Sequence, residues 1–403
     1  MTHAPDSRLP LDRLLIVVGF GCWLLCFENS TRGQSNSPVV ETPAEIALAE
    51  FLPRPSLKAK TTPKTAARFP VVDVHSHFQV RLRHDPQALR DFVALMDRNN
   101  IAISISLDGT LGPRLQEHVR YLWTDYRDRF AIFANIDWRG SGQLERPETW
   151  DCNREDFAHR VVLQLEEAKR LGLCGLKIFK QLGLEYRNAD GSLKRIDDPL
   201  LDSIWQACGR LKFPVIMHTA DPSAFFQPID LQNERYEELA RHPEWHFPAD
   251  RFPKREELHA ARDRVFARHP HTTFIAAHMA NDGEDLSQTA SLLDRFPNVY
   301  VEIASRISEL GRQPYSSREF FLKYQDRILF GTDGPWPETR YSSYWRFLET
   351  QDEYFPYSEK PFPPQGFWRI YGIFLPDEVL KKIYYQNVSR LLPSIRTQIG
   401  SRE

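Results

Sequence analysis

The chain is expected to fold as a (β/α)8 barrel, with long connections after the fifth and eighth strands covering its C-terminal face. Three observations predict this. Eight short apolar runs alternate with eight helical patterns between residues 70 and 392, as in a parallel sheet with crossover helices. No glycine-rich G-x-G-x-x-G or P-loop follows any run, so an open nucleotide-binding sheet is disfavoured. Histidines and an aspartate close several of the runs, at the barrel end where such folds carry their sites.

The strand candidates are VVDVHSH (71–77), IAISISL (101–107), FAIFANID (130–137), CGLKIF (174–179), FPVIMH (213–218), TTFIAAH (272–278), NVYVEIA (298–304) and RILFGTD (327–333). Helical patterns cover 85–100, 113–129, 154–172, 198–212, 255–269, 282–296, 317–326 and 376–392. The third of these stops on Gly172, a residue suited to a left-handed helix end. Residues 219–254 and 334–375 remain as long connections rich in aromatics and proline (AFFQP, HPEWHF, GPWPETRYSSYW, FPPQGFW). Long connections in a compact domain usually serve function, so both are expected to be loops capping the barrel mouth.

The 403 residues are 41% hydrophobic and 26% charged, enough for a sizeable core. A net charge of −2 offers no basic surplus for nucleic acid. Arg8 and Arg13 precede LLIVVGFGCWLLCF (14–27), which polar ENSTRGQSNS follows. That is the layout of a secretory signal peptide. It is shorter than the ~20 residues of a membrane span, and no A-x-A site follows it, so an uncleaved signal anchor is the alternative. An exported protein, periplasmic or extracellular, is expected, with no membrane contact other than such an anchor. The domain plan is then a leader at 1–27, a linker and an arm packed on the main domain at 28–69, and the barrel at 70–395. Behind the leader, Cys152, Cys174 and Cys208 are odd in number and lack metal-type spacing, so they predict small buried residues and no disulfide framework.

In a strand, side chains alternate. His75 and His77 would therefore share a face with Val71 and Asp73, while Val72 and Val74 would face the helices. Alone, H-x-H reads equally well as two hydrogen-bonded core histidines. His218, His278 and Asp333 alter that balance, because each ends a later strand candidate, and Ala276 and Gly331 leave room beneath the last two. Buried polar groups need partners, and one ion serves them all. Nitrogen ligands and a carboxylate without sulfur suit one divalent ion, zinc, with manganese or iron as alternatives. Such an ion acidifies bound water, and Asp333 is placed to act as general base. Lys177 in GLKIF is a candidate cation for a substrate carboxylate or a brace for the ligands, the bland alternative being a buried pair with Glu302. Arg306 and Arg139 follow strand ends and are further candidates for an acidic substrate, and Trp336 lies in the aromatic stretch behind Asp333.

Together VVDVHSHF, GLKIF, VIMHTADP, FIAAHMA and ILFGTDGPW resemble the amidohydrolase superfamily, in particular its amidohydrolase-related TIM-barrel branch, over about residues 70–392. That branch holds metal-dependent hydrolases, lactonases and non-oxidative decarboxylases such as aminocarboxymuconate-semialdehyde decarboxylase. The resemblance implies that His75, His77, His218 and Asp333 bind the metal, and that His278 stands by the water or substrate and stabilises developing charge. In some relatives a carbamylated lysine on the fourth strand bridges two metals; Lys177 lies on the matching strand, and a one-metal site is expected. Relatives often form homodimers. The expected activity is a metal-dependent hydrolase acting on an ester, lactone or amide of a small carboxylated substrate. A decarboxylase or hydratase on the same residues is the alternative. A third reading is an exported binding protein without turnover, against which an intact Asp333 argues.

Overall fold

The computed structural model describes residues 54–360 and 365–396, with 46, 47, 50 and 399 in isolation. The chain divides into two compact units, Met1–Phe51 and Leu52–Glu403, and the barrel lies in the second. The leader expected at 14–27 and most of the linker fall outside the described residues. Among the described residues no helix is long and apolar enough to cross a membrane.

The eight strands are β1 (Val71–Ser76), β2 (Ile101–Thr110), β3 (Phe130–Asn135), β4 (Gly175–Ile178), β5 (Val215–Met217), β6 (Phe274–Ala276), β7 (Val299–Glu302) and β8 (Ile328–Leu329). They pair in parallel in the order β1 to β8. The seam between first and last is bridged by Val74 N donating to Phe330 O at 3.0 Å and Asp333 N donating to His75 O at 2.9 Å. Helices pack between the strands as the periodicity expects. Pro86–Arg98 starts on Asp85, whose carboxylate accepts from the amides of Gln87 and Ala88, and it buries Leu89, Phe92, Val93 and Met96 on one stripe. Phe157–Leu171 ends on Gly172 at φ 109°, a turn that glycine enters without strain.

The barrel interior holds Val72, Val74, Ile103, Ile105, Phe133, Ile216, Ile275 and Leu329. Gly175 lies directly on the Phe133 ring, which leaves no room there for a Cβ. Strict alternation fails in β1. Its register against β2 shifts between Val71 and Val72 and again between Asp73 and Ser76. Val71 accordingly packs among the helix-facing residues, while Val72 and Val74 face inward. Asp73 takes the Thr332 hydroxyl at 2.5 Å, and Ser76 meets Ser104 at 2.9 Å. The irregularity changes the side-chain phase within the strand, which a period-two reading does not anticipate.

The later strands are shorter than the apolar runs. β8 stops at Leu329 because the next amide, Phe330 N, donates to Ile383 O at 3.1 Å. That carbonyl lies in a π-helical turn, Lys382–Gln386, inside the last helical segment. The Asn387 side chain, just past the turn, donates to Gln325 O and Ile328 O at 2.8 and 2.7 Å. His218, His278 and Asp333 therefore lie beyond their strands. His278 and Asp333 adopt left-handed backbone conformations, φ 57° and 65°, which cost a non-glycine residue free energy unless the surroundings hold them.

The connections also differ from expectation. Residues 334–375 are not a free cap loop, because Glu338–Glu349 is a helix that buries Tyr341, Tyr344, Trp345 and Leu348. Spacings of three and four put those residues on one face, so the aromatics of this stretch belong to the core. Trp345 stacks on Phe330 with ring centroids 5.1 Å apart and donates to Asn99 Oδ1 at 3.1 Å. Glu349, at the end of this helix, takes Lys64 at 2.6 Å and the Arg68 amide at 2.9 Å, which tethers residues 62–68. Residues 219–254 contain three short helical turns over a small cluster of Ala220, Phe225, Leu239 and Phe247. Cys152, Cys174 and Cys208 are buried free thiols.

If the Glu338–Glu349 helix is part of the core, Trp345→Ala lowers unfolding free energy by about 3–5 kcal/mol in denaturant titration. An unchanged midpoint would mean that the segment merely covers the mouth.

Candidate metal centre

His75, the last residue but one of β1, sets its Nδ1 against Glu302 Oε1 at 2.9 Å. Glu302 is fully buried, and its oxygens also accept from the His278 and Ala304 amides at 2.7 and 2.5 Å. Those amides can only donate, so the carboxylate accepts, and His75 Nδ1 carries the ring proton. His77 repeats the arrangement, with its Nδ1 2.9 Å from Asp108 Oδ1, which also caps Gln79 N through its second oxygen at 2.8 Å. Burial raises the Asp108 carboxyl, but bonding to His77 and Gln79 and the charge of His118 outweigh it and hold it below its usual range.

Both Nε2 atoms are thereby left as lone pairs, and they face each other at 3.2 Å. Asp333 Oδ1 completes a triangle, 3.4 Å from His77 Nε2 and 3.7 Å from His75 Nε2. Burial pushes the Asp333 carboxyl up, but His75, His77, Arg81 and Lys177 outweigh it and keep it ionised. Three acceptors that share no proton among themselves converge on one point, and Lys177 Nζ stands 3.3 Å from one of them, His75 Nε2. Edges of 3.2, 3.4 and 3.7 Å are the spacing of ligand atoms that could share one divalent ion. The donor set therefore fits a divalent ion. In each ring the other nitrogen is held by a carboxylate, the usual support of a metal-bound imidazole.

A second cluster, His75, His278 and Glu302, also brings ligand atoms within 4.8 Å of one another. It is a hydrogen-bond cluster, because His278 Nδ1 donates to Ala304 O at 2.9 Å just as His75 Nδ1 donates to Glu302. Burial, with His218 and His75 nearby, pushes the His278 ring well below its usual pKa, so it is neutral and its Nε2 is an acceptor. The role of stabilising developing negative charge expected of His278 needs an N–H there, and this tautomer has none.

His218 stands beside the triangle but not in it. Its ring packs against His278 with centroids 4.5 Å apart, and its Nε2 lies 3.3 Å from Asp221 Oδ1. Asp221 also holds Lys180. In this arrangement His218 Nε2 serves as a donor to the carboxylate three residues along, so its lone pair does not join the triangle. Burial lowers the His218 pKa to about 4.

Lys177 is buried with Nζ 3.3 Å from His75 Nε2, and burial lowers its pKa to about 8. It makes no ion pair with Glu302; it lies beside the triangle and braces a ligand. Arg306 and Trp336 line a cavity of about 680 Å³ that also reaches His218, His278 and Asp333. Arg306 is buried and gives Nη1 to Glu309 at 3.0 Å. Trp336 donates its Nε1 to Thr332 O at 2.8 Å. Arg139 is exposed and does not line this cavity.

Residue reading missed the parts played by Glu302, Asp108, Asp221 and Arg81. Glu302 could have been found, since it is a lone acidic residue near the end of a strand candidate, and it ends the observed β7. Asp108 had a weaker signal, a lone acidic residue late in an apolar run. Asp221 and Arg81 had none, since local turns bring them to the cavity.

Among solved structures the chain is similar to 2,6-dihydroxybenzoate decarboxylase from Rhizobium, with 17% identity, a TM-score of 0.46, and coverage of 80% of this chain and 98% of that one. It is also similar to 4-oxalomesaconate hydratase from Rhodopseudomonas palustris, with 13% identity, a TM-score of 0.45, and coverage of 82% and 98%. A third is a dihydroxybenzoic acid decarboxylase from Polaromonas with bound manganese and the inhibitor 2-nitroresorcinol, with 17% identity, a TM-score of 0.47, and coverage of 82% and 99%. No curated protein matches the chain. The profile of the amidohydrolase family matches residues 72–393, from β1 to the last helix of the barrel, and the chain is an enzyme of the amidohydrolase family.

Proposed function

We propose that this enzyme is a metal-dependent hydrolase that opens an ester, lactone or amide in a small carboxylated molecule, with one divalent ion, zinc by its donor set. The observation that carries the reading is the triangle of His75 Nε2, His77 Nε2 and Asp333 Oδ1, whose edges are 3.2, 3.4 and 3.7 Å and which shares no proton. A divalent ion there supplies Lewis acidity, acidifying water and polarising a carbonyl oxygen.

The chain's own groups do the rest. Asp333 turns Oδ1 to the histidines, while Oδ2 accepts from the Ser305 hydroxyl at 3.1 Å, which fixes its orientation. Because it is ionised, it can take the proton of the attacking water and return it to the leaving group. His278 Nε2, an acceptor, orients that water or a substrate hydroxyl. Lys177 is a positive donor beside the reacting point, suited to oxygen that gains charge. The wall that includes Trp336 and Arg306 excludes bulk water from one side.

Metal analysis of the purified protein comes first, followed by acid release from carboxylated lactones and esters and carbon dioxide release from aromatic acids. Metal with acid release but no carbon dioxide supports the hydrolase. Carbon dioxide without acid release assigns a lyase instead, and metal-free protein with full turnover ends both readings. His75→Ala is expected to lose bound metal together with activity. Asp108→Ala, which removes the acceptor on His77 Nδ1 together with the cap on Gln79 N, is expected to weaken metal affinity ~10–100-fold in chelator competition, with the fold intact. Unchanged affinity would show that Asp108 does not position His77.

A further inference from the structure

The cations around the cavity differ in whether their charge is already matched. Lys180 is paired with Asp221. Arg306 and Arg235 share Glu309, and Arg235 also holds Glu238 at 2.9 Å. Arg81 and Arg340 are different. Among the described residues neither guanidinium makes an ion pair, and that of Arg81 makes no hydrogen bond either, although it stands near enough to Asp333 to help keep that carboxyl ionised. Arg81 instead lies 3.6 Å over the Trp336 ring, and Arg340 stands 5.7 Å from the same ring. Arg340 gives Nη1 to Tyr357 O at 2.9 Å, while its Nε is buried without a partner. All three side chains line the cavity beside Asp333.

Two guanidinium groups near one indole repel each other, and the Arg340 Nε is buried without a partner. An anion bridging them removes both penalties. A carboxylate is the fitting one, because planar guanidinium forks match its two oxygens. The ring is fixed relative to the reacting point, since Trp336 follows Asp333 by three residues and its Nε1 is tied to Thr332 O. Arg81 likewise follows His77 by four residues, on the short helix Phe78–Leu82.

We propose that Arg81 and Arg340, held on Trp336, form the receptor for the substrate's carboxylate, so that the enzyme selects molecules whose carboxylate lies a few bonds from the scissile carbonyl. This rests on the hydrolase reading for the neighbouring reacting point. Neither Arg306, whose charge is matched by Glu309, nor Lys177, which sits at the metal triangle, takes that role. Arg306 instead braces the cavity wall.

The test is calorimetric titration of the zinc-loaded protein with benzoate, with benzamide as its uncharged counterpart and with inorganic phosphate. Wild type, Arg81→Gln and Arg340→Gln are compared, with metal content measured on the same samples. Benzoate affinity is expected to fall about tenfold or more in each variant, while benzamide affinity stays level. Equal benzoate affinity in all three, or no benzoate binding by wild type, overturns the receptor. Wild type that takes phosphate in preference to benzoate overturns its assignment to a carboxylate. If a glutamine variant fails to fold, Arg81→Lys keeps the charge but loses the fork. It is expected to weaken benzoate binding, and an unweakened lysine variant likewise overturns the proposal. Wild type that binds no divalent metal ends the hydrolase reading and leaves the benzoate comparison standing.

Discussion

The site depends on two imidazoles that cannot hydrogen-bond to each other. Each gives its Nδ1 proton to a buried carboxylate, His75 to Glu302 and His77 to Asp108, so their Nε2 lone pairs meet at 3.2 Å. Without those two carboxylates either ring could turn, or donate to the other, and no cation would be called for. Glu302 carries the larger share of this constraint, since it also accepts the backbone amides of His278 and Ala304. One side chain thus sets a ring tautomer and the path of the chain beyond β6 and β7.

Room for that carboxylate comes from Gly331, where a Cβ would stand 2.6 Å from Glu302 Oε2. The strain of the left-handed residues His278 and Asp333 is held in place by the same network, with Asp333 N bonded to His75 O. The parallel barrel makes this feasible. Its ladders satisfy the backbone beneath, so the strand ends can depart from regular geometry at the rim.

Around this centre the charges are divided by function. Lys180, Arg235 and Arg306 are matched by carboxylates of the wall; Lys180 ties the segment after β4 to the one after β5, and Arg235 ties the segment after β5 to the one after β7. Arg81 lies over the Trp336 indole and Arg340 stands 5.7 Å from it, and among the described residues neither makes an ion pair. An arginine count alone does not separate these classes. Arg306, conspicuous at the end of a strand candidate, is spent on Glu309, whereas Arg81 hides in a short helix.

Much of the fold was legible in the sequence, because local chemistry sets it. Alternating apolar runs and helical stripes predict eight parallel strands with their helices, and Gly172 and Asp85 mark helix ends by backbone and capping rules that need no tertiary contact. The converging residue types were legible too, since His77, His278 and Asp333 close apolar runs and His75 lies two residues before the end of one. Direction was not. Shifts of register in β1 break the alternation from which His75 was oriented, and β5, β6 and β8 end before His218, His278 and Asp333. Their aim is then set by left-handed turns and by partners far away in sequence. The aromatic stretch after Asp333 read as a loop for a related reason: its helical stripe becomes visible only when Trp345 is seen buried against Phe330. Sequence determined which groups were available at the barrel mouth. Tertiary structure decided which nitrogen keeps its lone pair and which arginine keeps its charge, because both depend on which carboxylate folding brings within about 3 Å.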